Sequence, residues 1–148
     1  MKRVLFALVF LLPCGAFADD RSHQFIDLQG EARTDSWWSS FAECVGRAKS
    51  LVPFASVIGH ATPEVIEERA NMFWIISVSR LTRDRDVSQD EAIRIAGGQA
   101  QLAYQWQQDS NLVYTAASKM DWEFDRQITL CESHLRDYAA AFPEDFQQ

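Results

Sequence analysis

Apolar residues recur at three- and four-residue steps through most of this chain, and this spacing restricts the possible folds more than any other feature. Such steps place the apolar side chains along one face of an α-helix. The pattern predicts a first helix from Ser36 to about Val52, which ends there because Pro53 disfavours the helical conformation in the residue before it. A link of about one helical turn is expected to follow at residues 54–58. The apolar face of the first helix consists of Trp37, Phe41, Cys44, Val45, Ala48 and Val52.

A second helix has the clearest start signal in the sequence. Thr62 is a good N-cap and Pro63 suits the first helical position. The segment then becomes strongly apolar on most sides and continues to about Leu81, so we expect it to be the central helix of a bundle. Residues 82–87 are rich in charge and are predicted to form a loop.

A third helix is predicted to begin at Ser88, which forms a capping box with Glu91. Gly97-Gly98 lies inside its apolar pattern, at a propensity cost of about 1 kcal/mol per glycine relative to alanine. We therefore expect the pair to allow close approach of a neighbouring helix or to mark a kink. Residues 109–111 are a candidate break in this helix.

The N-terminal residues 1–18 have the three parts of a secretory signal peptide. Lys2 and Arg3 precede an apolar run at 4–12, and residues 16–18 supply the small-x-small pattern that signal peptidase recognises. We expect cleavage after Ala18 and export to the periplasm or the extracellular space. The apolar run is much shorter than the roughly 20 residues needed to cross a bilayer, so no stable membrane insertion is expected after cleavage.

Cys44 and Cys131 are the two cysteines that would remain after cleavage. Cys131 lies on the apolar face of the last predicted helix, which begins with Asp121 as its N-cap and ends at Pro143. An even pair of cysteines in an exported chain is typical of a disulfide. The sequence therefore predicts an all-α fold over residues 36–148, an up-and-down bundle of four or five helices stapled by one disulfide.

Residues 19–35 are polar and are predicted to form an irregular N-terminal arm. The chain has a net charge of −7, which becomes about −9 when the two positive charges of the signal peptide are removed. An acidic surface repels phosphate backbones, so nucleic acid is not an expected partner.

Two acidic patterns are candidates for chemistry, but a plain structural role explains both. Alternating polar residues at 84–90 resemble the start of an EF-hand loop, yet the required glycine and glutamate positions hold Gln89 and Ile95. The acidic residues at 121–125 lie in a first helical turn, where the helix dipole alone favours negative charge.

His134 follows Cys131 by three residues, so the two share a helical face. A second pair of ligands is not visible beside them, and the cysteine is already assigned to the disulfide. The sequence predicts no catalytic residue, no metal ligand and no cofactor, so an enzyme is the disfavoured interpretation.

Trp37-Trp38 gives the main candidate for a binding surface. Adjacent helical residues point about 100° apart, so the two rings cannot face the core equally. Trp37 fits the apolar face, whereas Trp38 falls at its edge and is the candidate partner-binding residue. The alternative is that the N-terminal arm covers Trp38.

These features favour a non-catalytic protein-binding module whose partner is another envelope or secreted protein. One alternative is an immunity or inhibitor protein, because the chain resembles periplasmic immunity proteins against cell-wall amidases in size, signal peptide and two helix-borne cysteines. Another is a periplasmic chaperone-like stress protein. A small-ligand pocket between helices would have Gly97-Gly98 and Trp74 or Trp106 as walls.

Overall fold

The computed structural model describes residues 21–147, which fold into a four-helix bundle. The predicted signal peptide at 1–18 and its cleavage after Ala18 lie outside the described residues. The all-α bundle predicted from the sequence is confirmed, and the third helix continues without a break through 109–111. The helices are α1 (Trp37–Leu51), α2 (Pro63–Arg85), α3 (Gln89–Ala116) and α4 (Met120–Ala141), with 3-10 helices at Val52–Val57 and Pro143–Phe146.

The central helix of the bundle is α1, and the prediction that α2 takes this place is wrong. Twelve of the 15 residues of α1 are buried, and it contacts each of the other three helices. Only seven of the 23 residues of α2 are buried, and Ile75 within its apolar run is exposed to solvent. Many of the buried residues of α1 are small, so neighbouring helices can approach it from several sides.

Among the glycines in the described helices, Gly46 of α1 is the one that a neighbouring helix approaches too closely for a Cβ, whereas close approach was predicted at Gly97-Gly98. A Cβ on Gly46 would lie 2.7 Å from the backbone N of Tyr104 and would overlap the carbonyl oxygen of Ala100, both in α3. A Cβ on Gly97 would make an ordinary contact at 3.8 Å, and one on Gly98 would meet no atom of another described element within 4 Å. The close approach predicted at the glycine pair is therefore wrong, and the alternative role, a kink in α3, stays a prediction.

The helix starts at Thr62 and Ser88 agree with the sequence. Each side-chain oxygen accepts a hydrogen bond from the backbone N–H three residues further on, at 3.5 and 3.2 Å. Helix α2 nevertheless continues to Arg85, so most of the loop predicted at 82–87 is helical. The helix ends where Asp86 adopts a left-handed conformation, with φ of 50°.

The arm predicted to be irregular at 19–35 contains a β-hairpin. Strand β1 (Ser22–Ile26) pairs with strand β2 (Ala32–Ser36) in antiparallel register. The Asp27 carboxylate closes the turn by accepting two backbone N–H bonds at 2.9 Å, and Gly30 provides a positive φ of 84°. Each strand has only five residues with little apolar alternation, so packing on the helices is what orders them.

Aromatic contacts fix the hairpin against α1 and α4. The His23 ring stacks on Trp37 with a centroid distance of 3.9 Å, and its Nε2 lies 2.9 Å from Ser40 Oγ. Phe25 meets the edge of His134 at 4.5 Å. Burial lowers the pKa of His134 to about 3 and also lowers the pKa of His23. Both rings are therefore neutral at pH 7, as a buried aromatic cluster requires.

The predicted disulfide joins α1 and α4 inside the core. Cys44 and Cys131 are bonded at an S–S distance of 2.06 Å, with their Cα atoms 5.7 Å apart. Both cysteines are buried, in a cluster that includes Phe41 and Tyr138. The prediction of one disulfide between the first and last helices is confirmed.

Candidate functional site

Buried polar side chains connect α1, α3 and α4. Glu123 is fully buried and accepts hydrogen bonds from the side-chain amides of Gln107 at 3.2 Å and Gln127 at 2.6 Å. Gln127 also donates to Asn111 Oδ1 at 3.2 Å, and Asn111 donates to the Ser50 carbonyl at 3.1 Å. Losing one partner would leave a buried polar group unsatisfied, at a cost of about 1–3 kcal/mol. The network therefore holds the three helices in one relative position.

A cleft of about 470 Å³ lies next to this network, with Gln107 in its lining, between the hairpin turn, α1, α3 and α4. Three of its lining residues are arginines, although the chain has a net charge of −7. Each arginine comes from a different element: Arg33 from β2, Arg47 from α1 and Arg126 from α4. The lining residues that matter most for its chemistry are Arg33, Glu43, Arg47, Gln99, Trp106 and Arg126.

Two of the cleft arginines are held in place by hydrogen bonds. The Arg126 Nε donates to Glu123 at 2.9 Å, and its Nη1 donates to the Leu28 carbonyl of the hairpin turn at 3.0 Å. Arg47 Nη1 donates to Gln107 Oε1 at 3.1 Å. Burial lowers the pKa of Arg47, which shows that its charge is poorly solvated. An arginine still remains cationic at neutral pH, so the cleft presents fixed positive charge.

An apolar stripe on α3 borders the cleft. It consists of Leu102, Trp106 and Val113, which lie within about 40° of one another around the helix axis. Their exposed fractions are 58%, 84% and 66%, and Leu102 and Trp106 also line the cleft. We call these three residues the α3 stripe. A tryptophan this exposed buries little of its own surface in the fold, so its apolar area is available to a partner.

Trp38, the partner-binding candidate from the sequence, is not on the surface. Only 8% of its area is exposed, and it packs in a cluster with Leu81 of α2 and Ala92 of α3. Its carbonyl accepts a hydrogen bond from Ser77 Oγ at 2.7 Å. The expectation that Trp38 is partly exposed is therefore wrong, because helices α2 and α3 cover it.

The acidic residues at the start of α4 have separate structural roles. Glu123 belongs to the buried network, as described above. Asp121 Oδ1 accepts the backbone N–H of Gly59 at 2.7 Å, and Asp125 Oδ1 lies 2.9 Å from His60 Nε2. Asp121 and Asp125 thus hold the turn before α2 against α4.

The two tryptophans predicted as alternative walls of a helix-lined pocket lie in different grooves. Trp74 and Gly97 line a separate groove of about 380 Å³ between α1, α2 and α3. Trp106 instead lines the arginine-rich cleft. His134, which shares a helical face with Cys131, packs against the hairpin, and the cysteine is in the disulfide.

The arginines of the cleft could not be recognised from the sequence. Arg33, Arg47 and Arg126 are far apart along the chain, and no local spacing connects them. The exposed side of Trp106 was also not recognised, because Trp106 follows the apolar pattern of α3 at helical spacing.

Comparison of the chain with protein-family models, curated proteins and solved structures found no significant match. Within residues 21–147, no helix is both long and apolar enough to cross a membrane. The same part of the chain contains no group of three or more His, Cys, Asp or Glu residues placed to hold a metal ion.

Proposed function

We propose that this protein is an exported, non-catalytic binding module, which recognises another envelope or secreted protein through the α3 stripe and the adjoining cleft. The observation that carries the proposal is Trp106, which is 84% exposed on a long helix beside a cleft lined by arginines. Tryptophan and arginine, together with tyrosine, are the residue types most enriched among those that dominate protein–protein binding.

The rigidity of the surface supports this function. Helix α3 is held against α1 at Gly46 and through the hydrogen bond from Asn111 to Ser50. A side chain presented on a fixed helix needs little further ordering when a partner binds, so less free energy is lost on association. The α3 stripe therefore has the properties of a preorganised contact surface.

The export part of the proposal is supported by the disulfide. A bond between Cys44 and Cys131 persists in oxidising compartments, which are reached by exported proteins. The signal peptide predicted at residues 1–18 is the sequence feature that would direct the chain there.

A chaperone-like function is the second candidate, because apolar side chains are also exposed outside the stripe. Leu112 and Trp122 are both exposed, and scattered apolar surface suits weak contacts with many unfolded chains. An immunity or inhibitor function is the special case of the first proposal in which the single partner is a secreted enzyme.

The test is a quantitative cross-linking pull-down from the native envelope extract. The bait is the mature protein, with Trp106→Ala and Leu112→Ala variants run in parallel. Leu112 is a matched control because it is exposed on the same helix, about 120° around the axis from Trp106. We expect one saturable partner whose affinity falls about 30-fold or more in Trp106→Ala and stays unchanged in Leu112→Ala.

Three other outcomes would overturn the proposal. Equal capture by Trp106→Ala would remove the α3 stripe from the binding surface. A broad set of unfolded proteins would favour the chaperone-like function instead. No enrichment above a control bait would contradict a stable protein partner.

A further inference from the structure

The cleft contains two arginines with weak carboxylate partners. Arg33 lies 3.9 Å from Asp35, and Arg47 lies 3.6 Å from Glu43. Five other arginines contact carboxylates at 2.5–3.0 Å, namely Arg69, Arg80, Arg83, Arg94 and Arg126. A charged hydrogen bond between guanidinium and carboxylate normally spans about 2.7–2.9 Å. Arg33 and Arg47 therefore retain capacity to bind a further anion.

The surroundings of Arg47 make an added anion favourable. Its side chain is only 19% exposed, so water stabilises the positive charge poorly. Its nearest carboxylate, Glu43, is drawn toward α3 by a hydrogen bond from Gln99 Nε2 at 3.1 Å. An anion that entered the cleft would therefore supply the close carboxylate partner that Arg47 lacks, in addition to its hydrogen bond to Gln107 Oε1.

The lining of the cleft carries more positive than negative charge. It includes Arg33, Arg47 and Arg126, with Glu43 as a carboxylate. Arg126 is paired with the buried Glu123 at 2.9 Å, whereas Asp35, outside the lining, lies 3.9 Å from Arg33. Arg33 and Arg47 are therefore the cations open to a closer anionic partner, and Glu43 repels a monoanion such as a carboxylate less than it would repel a phosphate dianion.

The apolar edge of the cleft indicates what the carboxylate is attached to. Leu102 and Trp106 line the cleft, and the α3 stripe continues beyond it to Val113. A small free acid would leave most of this apolar surface uncovered. A protein surface with an acidic side chain between apolar ones would pair with the cleft arginines and also cover the apolar surface.

We propose that the cleft receives an aspartate or glutamate side chain of the protein partner, bound between Arg33 and Arg47, while neighbouring apolar groups of the partner cover Trp106. This inference rests on the proposed function and specifies the chemistry of the partner. Guanidinium groups bind carboxylates through paired, directed hydrogen bonds, which makes the contact specific as well as attractive.

The experiment titrates the full mature protein with the capped peptide acetyl-Gly-Phe-Glu-Phe-Gly-amide and with its Gln counterpart. Binding is followed through the indole N–H signals and the Arg Nε–H signals in NMR spectra. We expect the Glu peptide to bind about tenfold more tightly than the Gln peptide, since one charge-assisted contact distinguishes them. In Arg33→Gln and Arg47→Gln this preference should fall several-fold.

Three variants separate a loss of binding from structural damage. Arg33 is partly exposed on the hairpin, so Arg33→Gln tests the cleft even if Arg47→Gln disturbs packing. Glu43→Gln should strengthen binding of the Glu peptide, because it removes a competing carboxylate from Arg47. Arg94→Gln should leave binding unchanged, since Arg94 pairs with Glu91 outside the cleft.

The results that would overturn the inference are distinct from those that overturn the proposed function. Equal affinity for the two peptides would overturn the inference. So would the absence of any signal change up to about 10 mM peptide, a concentration tenfold above a weak Kd of about 1 mM. Tighter binding of inorganic phosphate or of free 3-phenylpropanoate than of the Glu peptide would identify a small anion as the ligand instead. The partner captured from the envelope extract could require Trp106 and still bind the Arg33→Gln and Arg47→Gln variants normally. That result would refute the carboxylate contact and leave the proposed function standing.

Discussion

Replacing Gly46 with alanine would force α1 and α3 apart, because the space that the new Cβ needs is occupied by the backbone of α3. The Cβ would lie 2.7 Å from the Tyr104 backbone N and 2.8 Å from the Ala103 Cβ, and it would overlap the Ala100 carbonyl oxygen. Backbone atoms within a helix of 28 residues cannot move aside one at a time. Relief of the overlap therefore requires a shift of the whole helix.

The expected change in stability combines one stabilising and two destabilising contributions. Alanine is favoured over glycine in a helix by about 1 kcal/mol. Overpacking of this kind typically costs about 1–3 kcal/mol. A shift of α3 also weakens the hydrogen bonds that Gln99, Gln107 and Asn111 make to α1, each contributing about 1 kcal/mol. We expect Gly46→Ala to lower the free energy of unfolding by about 3 kcal/mol.

The matched control is Gly98→Ala on α3. Because its Cβ would meet no atom of another described element within 4 Å, the propensity gain is unopposed, and we expect stabilisation by about 1 kcal/mol. Urea denaturation of both variants, with the disulfide intact, measures the two changes in the same assay. A Gly46→Ala protein as stable as the wild type would refute the close α1–α3 contact.

Three further predictions concern stability. The double substitution Cys44→Ser and Cys131→Ser removes the disulfide and should lower the free energy of unfolding by at most about 5 kcal/mol, since the bond joins residues 87 positions apart. An unchanged thermal melting temperature would contradict this prediction. The pKa of His134 is lowered to about 3, mainly by burial and further by the charges of His23 and Arg47. Between about pH 3 and pH 6.5, the His134 side chain therefore binds a proton in the unfolded chain but not in the folded chain. Stability should therefore be full above about pH 6.5 and fall by about 3 kcal/mol at pH 4; a His134→Gln protein with an equally steep pH dependence would exclude this cause. Trp38→Ala should destabilise the fold by about 3–5 kcal/mol in urea denaturation, as for other large core truncations, and a change below 1 kcal/mol would show that Trp38 is not a core residue.

The helices could be predicted because their signals are local. The caps at Thr62 and Ser88 act on backbone groups three residues away, so the chain itself specifies where α2 and α3 begin. Apolar periodicity likewise depends only on the geometry of one helix. The even pair of cysteines in a chain with a predicted signal peptide was enough to predict the disulfide that the structure contains, and their position on two apolar faces placed it in the core.

The hairpin and the burial of Trp38 could not be predicted in the same way. Strands β1 and β2 are short and polar, and their order depends on contacts such as that between His23 and Trp37. Whether Trp38 faces solvent depends on which helices lie beside α1. Periodicity assigns a side chain to a helix face but does not identify the element that covers that face.

The sequence by itself determined most of the helical segments, the starts of α2 and α3, and the pair of cysteines, because these depend on interactions between residues close together in the chain or on composition. Only the tertiary structure decided that α1 is central, that Gly46 is the close contact, and that Arg33, Arg47 and Arg126 line one cleft beside Trp106. These arrangements arise from packing between elements distant in sequence. The side chains of several helices must fill the core together, and their buried polar groups must all find partners. No single segment of the chain specifies how this is achieved.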